Sequence, residues 1–197
     1  MKSCLLCGVG GQGTVLASRI IATASMEKGL FARTAETIGM AQRGGSVVSH
    51  VRIGKNVSSP MIPDGKADVI IAFEPGEAVR NLHYLKKDGI VIVCDKELRP
   101  VTDSLGDSQY NGKEMTNYIK KNVKKTYILD ADDVCEKCGT PKALNVALTG
   151  AMAITGVMGL TMDDIEKAVE LKVKPQFVDM NKRALRIGAD SIQEKTL

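Results

Sequence analysis

CLLCGVGGQGTVLASRIIATASMEKGLFARTAETIGMAQRGGSVVSHVRIG, residues 4–54, holds two glycine-rich turns around which the rest of the chain is organised. The first, Gly8-Val9-Gly10-Gly11-Gln12-Gly13, follows a short apolar run and opens an apolar-periodic segment, so it marks the handover from a strand to a helix. That is a phosphate-binding position, because glycines let backbone N–H groups approach an anion and a helix N-terminus carries partial positive charge. The second, Gly39-Met40-Ala41-Gln42-Arg43-Gly44-Gly45-Ser46, sets an amide and a guanidinium beside a flexible Gly-Gly pair, just ahead of a β-branched run. Such a loop can reach over a ligand held by the first.

Working outward, the N-terminal unit reads as a strand over 2–7, a helix from about 11 to 28 and a strand over 30–34. A right-handed crossover between parallel strands is the expected connection, as in half of a dinucleotide-binding fold. After Glu36 no normal-length helix follows. Instead come a strand over 46–53, a turn at Gly54-Lys55-Asn56 and a short run to Ser59, which is hairpin grammar. The nearly all-apolar run Ala67–Phe73 has the composition of a strand buried on both faces and marks the sheet centre. A helix over 74–85 with Pro and acids in its first turn and a strand over 90–94 resume the alternation. A surface loop over 99–112, a helix over 113–123, a strand over 126–129 and a helix over 131–138 follow. The last third is helical: 141–160, a capping-box start at Thr161 leading to about Lys172, and a final helix over about 176–188. The expected fold is α/β, a doubly wound and mostly parallel sheet with a hairpin insertion and a helical C-terminal part from about residue 141, all in one domain over 1–197.

The totals narrow the function. In 197 residues, 27 basic and 23 acidic side chains leave a net charge of +4, spread along the chain apart from a cluster at Lys120, Lys121, Lys124 and Lys125. That is too dilute for a nucleic-acid protein, and the absence of Trp removes the best stacking platform. Gly8 interrupts the first apolar run almost at once, so no secretory leader is expected and the protein is expected in the cytoplasm. Ala143–Leu160 is an uncharged run of 18 residues, but its three glycines, its two threonines and Asn145 suit a buried or interface helix better than a membrane span. The five cysteines include two CxxC pairs, Cys4/Cys7 and Cys135/Cys138. In a strand, positions three apart face opposite sides, and the second pair has no His at ligand spacing, so buried free thiols are expected rather than a metal site.

Gly8, Gly10 and Gly13 satisfy G-x-G-x-x-G in a strand-to-helix context, and Glu36, 23 residues after Gly13, stands where a ribose-binding acid would. This supports an NAD(P)-dependent oxidoreductase as one reading, although the same glycines also serve tight helix–sheet packing. Arg43, flanked by glycine, suits a phosphate or carboxylate of a ligand, or equally a carboxylate on a partner surface. Gln12 and Gln42 can donate to a carbonyl or pyrophosphate, or satisfy loop backbone. His50 in a strand is available as an acid or base, but a lone strand histidine is more often a hydrogen-bonded surface residue. There is no G-x-S-x-G, H-E-x-x-H or GK[ST] signature, which leaves hydrolase and kinase chemistry without support. A chain so equipped positions something that another chain or a cofactor transforms.

Three blocks, GVGGQGTVLASRII (8–21), ETIGMAQRGGSVVSHVRIG (36–54) and SPMIPDGKADVIIAFEPGEA (59–78), resemble the small gamma-type subunits of the 2-oxoacid:ferredoxin oxidoreductases, nearest to the indolepyruvate branch. The likeness continues more weakly through Ala143-Leu144-Asn145 and Gly150-Ala151. The resemblance implies oxidative decarboxylation of a 2-oxoacid, with thiamine diphosphate and 4Fe-4S clusters on a large alpha subunit, electrons passing to ferredoxin and the acyl group to coenzyme A. The glycine loops, Gly8, Gly44 and Gly45 included, are then expected to pack against the thiamine site of the large subunit, with Gly10, Gly11, Gln12 and Gly13 facing an anionic group and Gln42 and Arg43 closing over it as the catalytic residues. A third reading is a non-catalytic assembly subunit that docks through the uncharged helix beginning at Ala143.

Overall fold

The computed structural model describes residues 1–37, 39–98 and 110–193. In chain order it forms β1 (Lys2–Val9), α1 (Thr14–Glu27), β2 (Phe31–Glu36), β3 (Ser46–Gly54), β4 (Ala67–Ala72), α2 (Pro75–Arg80) and β5 (Leu85–Cys94). There follow α3 (Gly112–Asn122), β6 (Lys125–Leu129), α4 (Ala131–Cys138), α5 (Leu144–Ile154), α6 (Met162–Lys172) and α7 (Val178–Gln193). The six strands form one sheet in the order β2-β3-β1-β4-β5-β6. β1, β4, β5 and β6 are parallel neighbours, and β3 runs antiparallel to both β1 and β2.

Alternation along the strands divides the apolar side chains between two cores. Cys4, Leu6, Val69, Ile71, Ile90 and Ile92 face one way and pack with α1, α4, α5, α6 and α7. Leu5, Cys7, Ile70, Ala72, Val91 and Val93 face the other way, under α2 and α3. The two faces explain why β4 reads as a nearly all-apolar run: apart from Asp68, each of its residues lies in one core or the other.

The fold class matches the expectation, but the hairpin differs. β2 is not the parallel neighbour of β1. It pairs antiparallel with β3 from Phe31↔Gly54 to Glu36↔Ser49, so β3 lies between β1 and β2. The hairpin arms are therefore 31–36 and 46–54, joined across the second glycine turn, and residues 57–59 form no strand. A short antiparallel connection closes over far fewer residues than a parallel crossover needs, and β3 offers β1 eight consecutive paired positions. Asp88-Gly89 does not end a loop either. It sits inside β5, where the pairing with β4 shifts from Ala67↔Leu85 to Val69↔Ile90. The helix expected over 74–85 ends at Arg80, followed by a short 3-10 turn over Leu82–Tyr84. Residues 99–109 of the expected surface loop lie outside the described residues.

The uncharged run after Ala143 becomes α5, which stops at Ile154 before Gly156 and Gly159 take left-handed φ values of 64° and 69°. Every residue from Leu144 to Ala153 is buried within this chain, so this helical part of the run serves the core rather than a docking face. It crosses α7 at two glycines. A methyl group at Gly150 would run into the Leu185 carbonyl, and one at Gly188 into that of Ala147. The capping box expected at the start of α6 is present, with Thr161 and Asp164 each accepting the other's backbone N–H.

Because backbone rather than side chain opposes the added methyl at both crossings, neither helix can yield by a rotamer change. Gly150→Ala and Gly188→Ala are each expected to cost about 3 kcal/mol, lowering Tm by about 6–12 °C in a thermal melt. Gly29→Ala, where no atom approaches but φ is 75°, tests backbone strain alone and should lose about 1 kcal/mol.

Candidate functional site

The β1–β3 register pairs Val9 with Ser46, and so delivers the two glycine turns to the same point at the carboxyl end of β1. There they touch backbone to backbone. The Gly10 N–H donates to the Gly45 carbonyl at 2.8 Å, and a methyl on Gly10 would collide with the backbone of Ala41 and Gln42. Gly45 is held the same way, since its Cβ would lie 2.9 Å from Ala41 Cα. This is the switch point of the sheet, with antiparallel β3 on one side of β1 and parallel β4 on the other, where open α/β sheets place their ligands.

Gln12 clips the first turn to the sheet. Its Oε1 accepts the Val9 N–H at 2.7 Å, and its Nε2 donates to the Phe73 carbonyl at the end of β4 at 2.9 Å. Of the uses open to Gln12, its amide takes the structural one. Gly13 has φ 87° and opens α1 with no side-chain cap, which leaves the first-turn N–H groups directed outward. Asn145, at the start of α5, presses on Gly13 and donates from Nδ2 to its carbonyl at 3.3 Å. Leu144 and Asn145 thus bring the C-terminal helices to the site.

Two hollows flank this crest. One, of about 480 Å³, is lined by Gly11, Gln12, Gly13, Lys96, Cys135 and Lys142 among others. The second, of about 200 Å³, lies on the hairpin side and includes Gly10, Gly13, Thr14, Thr37 and Gln42. Gln42 donates from Nε2 to the Thr37 carbonyl at 3.2 Å. Arg43 is exposed on the same turn as Gly44, whose φ is 86°, and among the described residues it has no hydrogen-bond or ion-pair partner. The crest thus collects Gly10, Gly11, Gln12, Gly13, Gln42, Arg43, Gly44 and Gly45, with Gly8 beneath it packed on Phe73 and Gln12.

Under the second turn lies a carboxylate pair that the sequence reading missed. Glu74 and Glu77 are 2% and 1% exposed. Glu77 accepts from Ser46 Oγ at 2.5 Å and faces Arg80 Nε at 3.3 Å, while Glu74 accepts from the Glu77 N–H and from the Tyr110 hydroxyl. Burial pushes the Glu74 carboxyl up from its ordinary value. The pair anchors Ser46, and through it one end of the Arg43-containing turn. The signal in the sequence was Glu74-Pro75-Gly76-Glu77 at the end of an apolar strand, read there only as helix punctuation.

Glu36 is not available as a ribose acid. It accepts from Ser18 Oγ at 2.8 Å, lies 4.0 Å from the Arg19 guanidinium, and sits on a strand separated from β1 by β3. His50 is not a surface residue: it is buried, and its Nδ1 accepts the Ile62 N–H at 3.3 Å. His83 stacks at 4.2 Å on Tyr84, far from the crest in the fold.

The cysteines do not fit an iron–sulfur cluster. Cys4 packs in one core and Cys7 in the other, on opposite faces of β1, and burial raises both thiols well above their ordinary value. Cys94, buried beside α4, is pushed up to about 12, and Cys135 and Cys138 are also raised by burial, against the reactive thiolate form. Among the described residues no three His, Cys, Asp or Glu side chains are grouped to hold a metal ion. No helix of the described residues is long and apolar enough to cross a membrane.

With this geometry in place, comparison with known proteins is specific. The pyruvate ferredoxin/flavodoxin oxidoreductase family matches residues 3–191. A curated relative, indolepyruvate oxidoreductase subunit IorB of Archaeoglobus fulgidus, is 41% identical over 182 residues, covering 92% of this chain and 90% of that protein. The gamma subunit of a keto/oxoacid ferredoxin oxidoreductase from Geobacter sulfurreducens superposes with a TM-score of 0.72 at 24% identity, covering 98% of this chain and 99% of that one. The 2-oxoglutarate:ferredoxin oxidoreductase of Magnetococcus marinus, at 16% identity and TM-score 0.69, shares the fold over 98% of this chain and 31% of its own. The chain belongs to the pyruvate ferredoxin/flavodoxin oxidoreductase family, as a small subunit of the 2-oxoacid:ferredoxin oxidoreductase type.

Raising the Glu74 pKa in the folded state means that the native protein binds this proton more tightly than the unfolded chain does. The contribution of Glu74 to stability is then greatest below the ordinary carboxylate value of 4.5 and is lost as pH rises through its raised value. Urea unfolding between about pH 4 and pH 7 should show this decline in the wild type and a flatter profile in Glu74→Gln.

Proposed function

We propose that this chain is the small subunit of an indolepyruvate, or other aryl-pyruvate, ferredoxin oxidoreductase, acting as a single domain over residues 1–197 with a helical part from about residue 141. It works with a large alpha subunit that holds thiamine diphosphate and the 4Fe-4S clusters, and through that complex it serves ferredoxin. The substrate assignment rests on the IorB relative. A cytoplasmic location suits the free thiols, four of the five buried, which persist in a reducing compartment.

The observation that carries the mechanistic reading is the fusion of the two glycine turns into one crest, with a guanidinium on its rim that has no partner among the described residues. Thiamine diphosphate bound by the large subunit supplies the decarboxylating chemistry. This chain contributes a wall. Gly10, Gly11 and Gly13 present backbone and the open first turn of α1 to an anionic group, Gln12 fixes their shape, and Gln42, Arg43, Gly44 and Gly45 close over it and exclude water. The larger hollow, with Lys96 and Lys142 at its sides and apolar Leu16 and Phe73 between them, suits a long anionic thiol such as coenzyme A. The Magnetococcus marinus enzyme is described with coenzyme A and succinyl-CoA bound, which supports the reading by fold alone.

Arg43→Ala is expected to abolish most 2-oxoacid-dependent viologen reduction by the anaerobically purified complex while assembly with the large subunit is unchanged. Wild-type turnover in that variant would refute the role of the crest. Lys96→Ala and Lys142→Ala should raise KM for coenzyme A by about tenfold, equivalent to about 1.4 kcal/mol, with kcat nearly unchanged.

A further inference from the structure

The lysine cluster noted in the sequence has a counterpart at the opposite end of the sheet from the glycine crest. There the first residues of β1, β4, β5 and β6 surround a hollow of about 540 Å³, lined by Lys2, Lys66, Lys86, Lys87 and Lys125 with only Asp68 and Asp88 to balance them. Asp68 is nearly buried and already satisfied. It accepts the Ser3 N–H at 2.7 Å and Lys86 Nζ at 2.7 Å, with Lys2 Nζ at 3.8 Å. Among the described residues Lys66, just before β4, Lys87 on β5 and Lys125 at the start of β6 have no ion-pair partner. These like charges line one hollow, so they repel one another and gain from any anion that enters. Lys120, Lys121 and Lys124, from the end of α3 and the approach to β6, add exposed charge on the side of the β6 edge.

We infer that this basin is a docking surface for a carboxylate-rich face of another protein that visits the assembled complex. Three features select that chemistry. The cations are all lysines, point charges on flexible stems that suit scattered carboxylates, whereas phosphate forks favour arginine. The lining contains no aromatic ring on which a base would stack. The basin also lies at the amino ends of the parallel strands, while the crest lies at the carboxyl end of β1, so a partner can occupy it while the crest is engaged. Charge complementarity of this kind speeds encounter and weakens steeply with salt.

The test uses the assembled heteromer and fluorescence anisotropy of labelled poly-L-glutamate, with inorganic triphosphate and a single-stranded oligonucleotide as competing probes. Lys66→Gln/Lys87→Gln/Lys125→Gln should weaken poly-L-glutamate binding by about tenfold at low salt. The charge-matched control Lys113→Gln/Lys172→Gln/Lys174→Gln should change it less than about twofold. Equal losses in the two variants would reduce the effect to net charge and overturn the proposal. So would tighter binding of triphosphate, which marks a small-anion site, or of the oligonucleotide. Failure of the basin variant to assemble with the large subunit, with its own melting temperature unchanged, would also overturn it, by assigning the surface to that subunit.

Discussion

The register between β1 and β3 is the constraint on which the site depends. Pairing Lys2 with Ile53 and Val9 with Ser46 along eight positions brings the residue after Val9 against the residue before Ser46. Both are glycines, and their backbones meet through the Gly10–Gly45 hydrogen bond. A slip of β3 by one residue would turn Val51 and Ile53 out of one core and misplace the crest at the same time. Core packing therefore sets the site's geometry. The apolar alternation of two strands determines where a guanidinium thirty residues downstream of the first turn will stand.

Close backbone approach recurs as the means by which the helical third is attached. Asn145 grips Gly13 at the start of α5, and Gly150 and Gly188 let α5 and α7 cross at backbone distance. The helices that look like an appendage in the sequence are thereby continuous with the wall of the larger hollow, to which Leu144 and Asn145 contribute directly. The buried Glu74 and Glu77 add a polar support from the other face of the sheet, tying Ser46 to α2. In a low-dielectric interior such carboxylates persist because each has hydrogen-bond donors, and those same bonds restrict how the second turn can move.

Charge is partitioned along the strand axis. One end of the sheet carries the crest, with the N-terminus of α1, Arg43, Lys96 and Lys142 disposed around apolar hollows. The amino ends of the parallel strands carry lysines around a satisfied aspartate. A net charge of +4 conceals this division, because composition sums over the molecule while binding depends on local fields.

The sequence by itself determined the α/β class, most helices and parallel strands, the two glycine turns and the family, because periodicity, glycine spacing and capping residues are local signals. Tertiary structure decided the rest. The partner of β2 depends on competition between a parallel crossover and an antiparallel hairpin, and nothing within 31–36 encodes the winner. Glu36 stood at the spacing of a ribose acid, yet pairing to β3 carried it to the edge of the sheet and onto Ser18 and Arg19. The uncharged run after Ala143 suited an interface as well as a core, and only α7 packing across Gly150 showed that its helical part belongs to the core. Gln12 offered the same amide to a ligand or to the backbone until the end of β4 came within reach. In each case the deciding contact joins residues far apart in the chain, so its energy appears only once the sheet order is fixed.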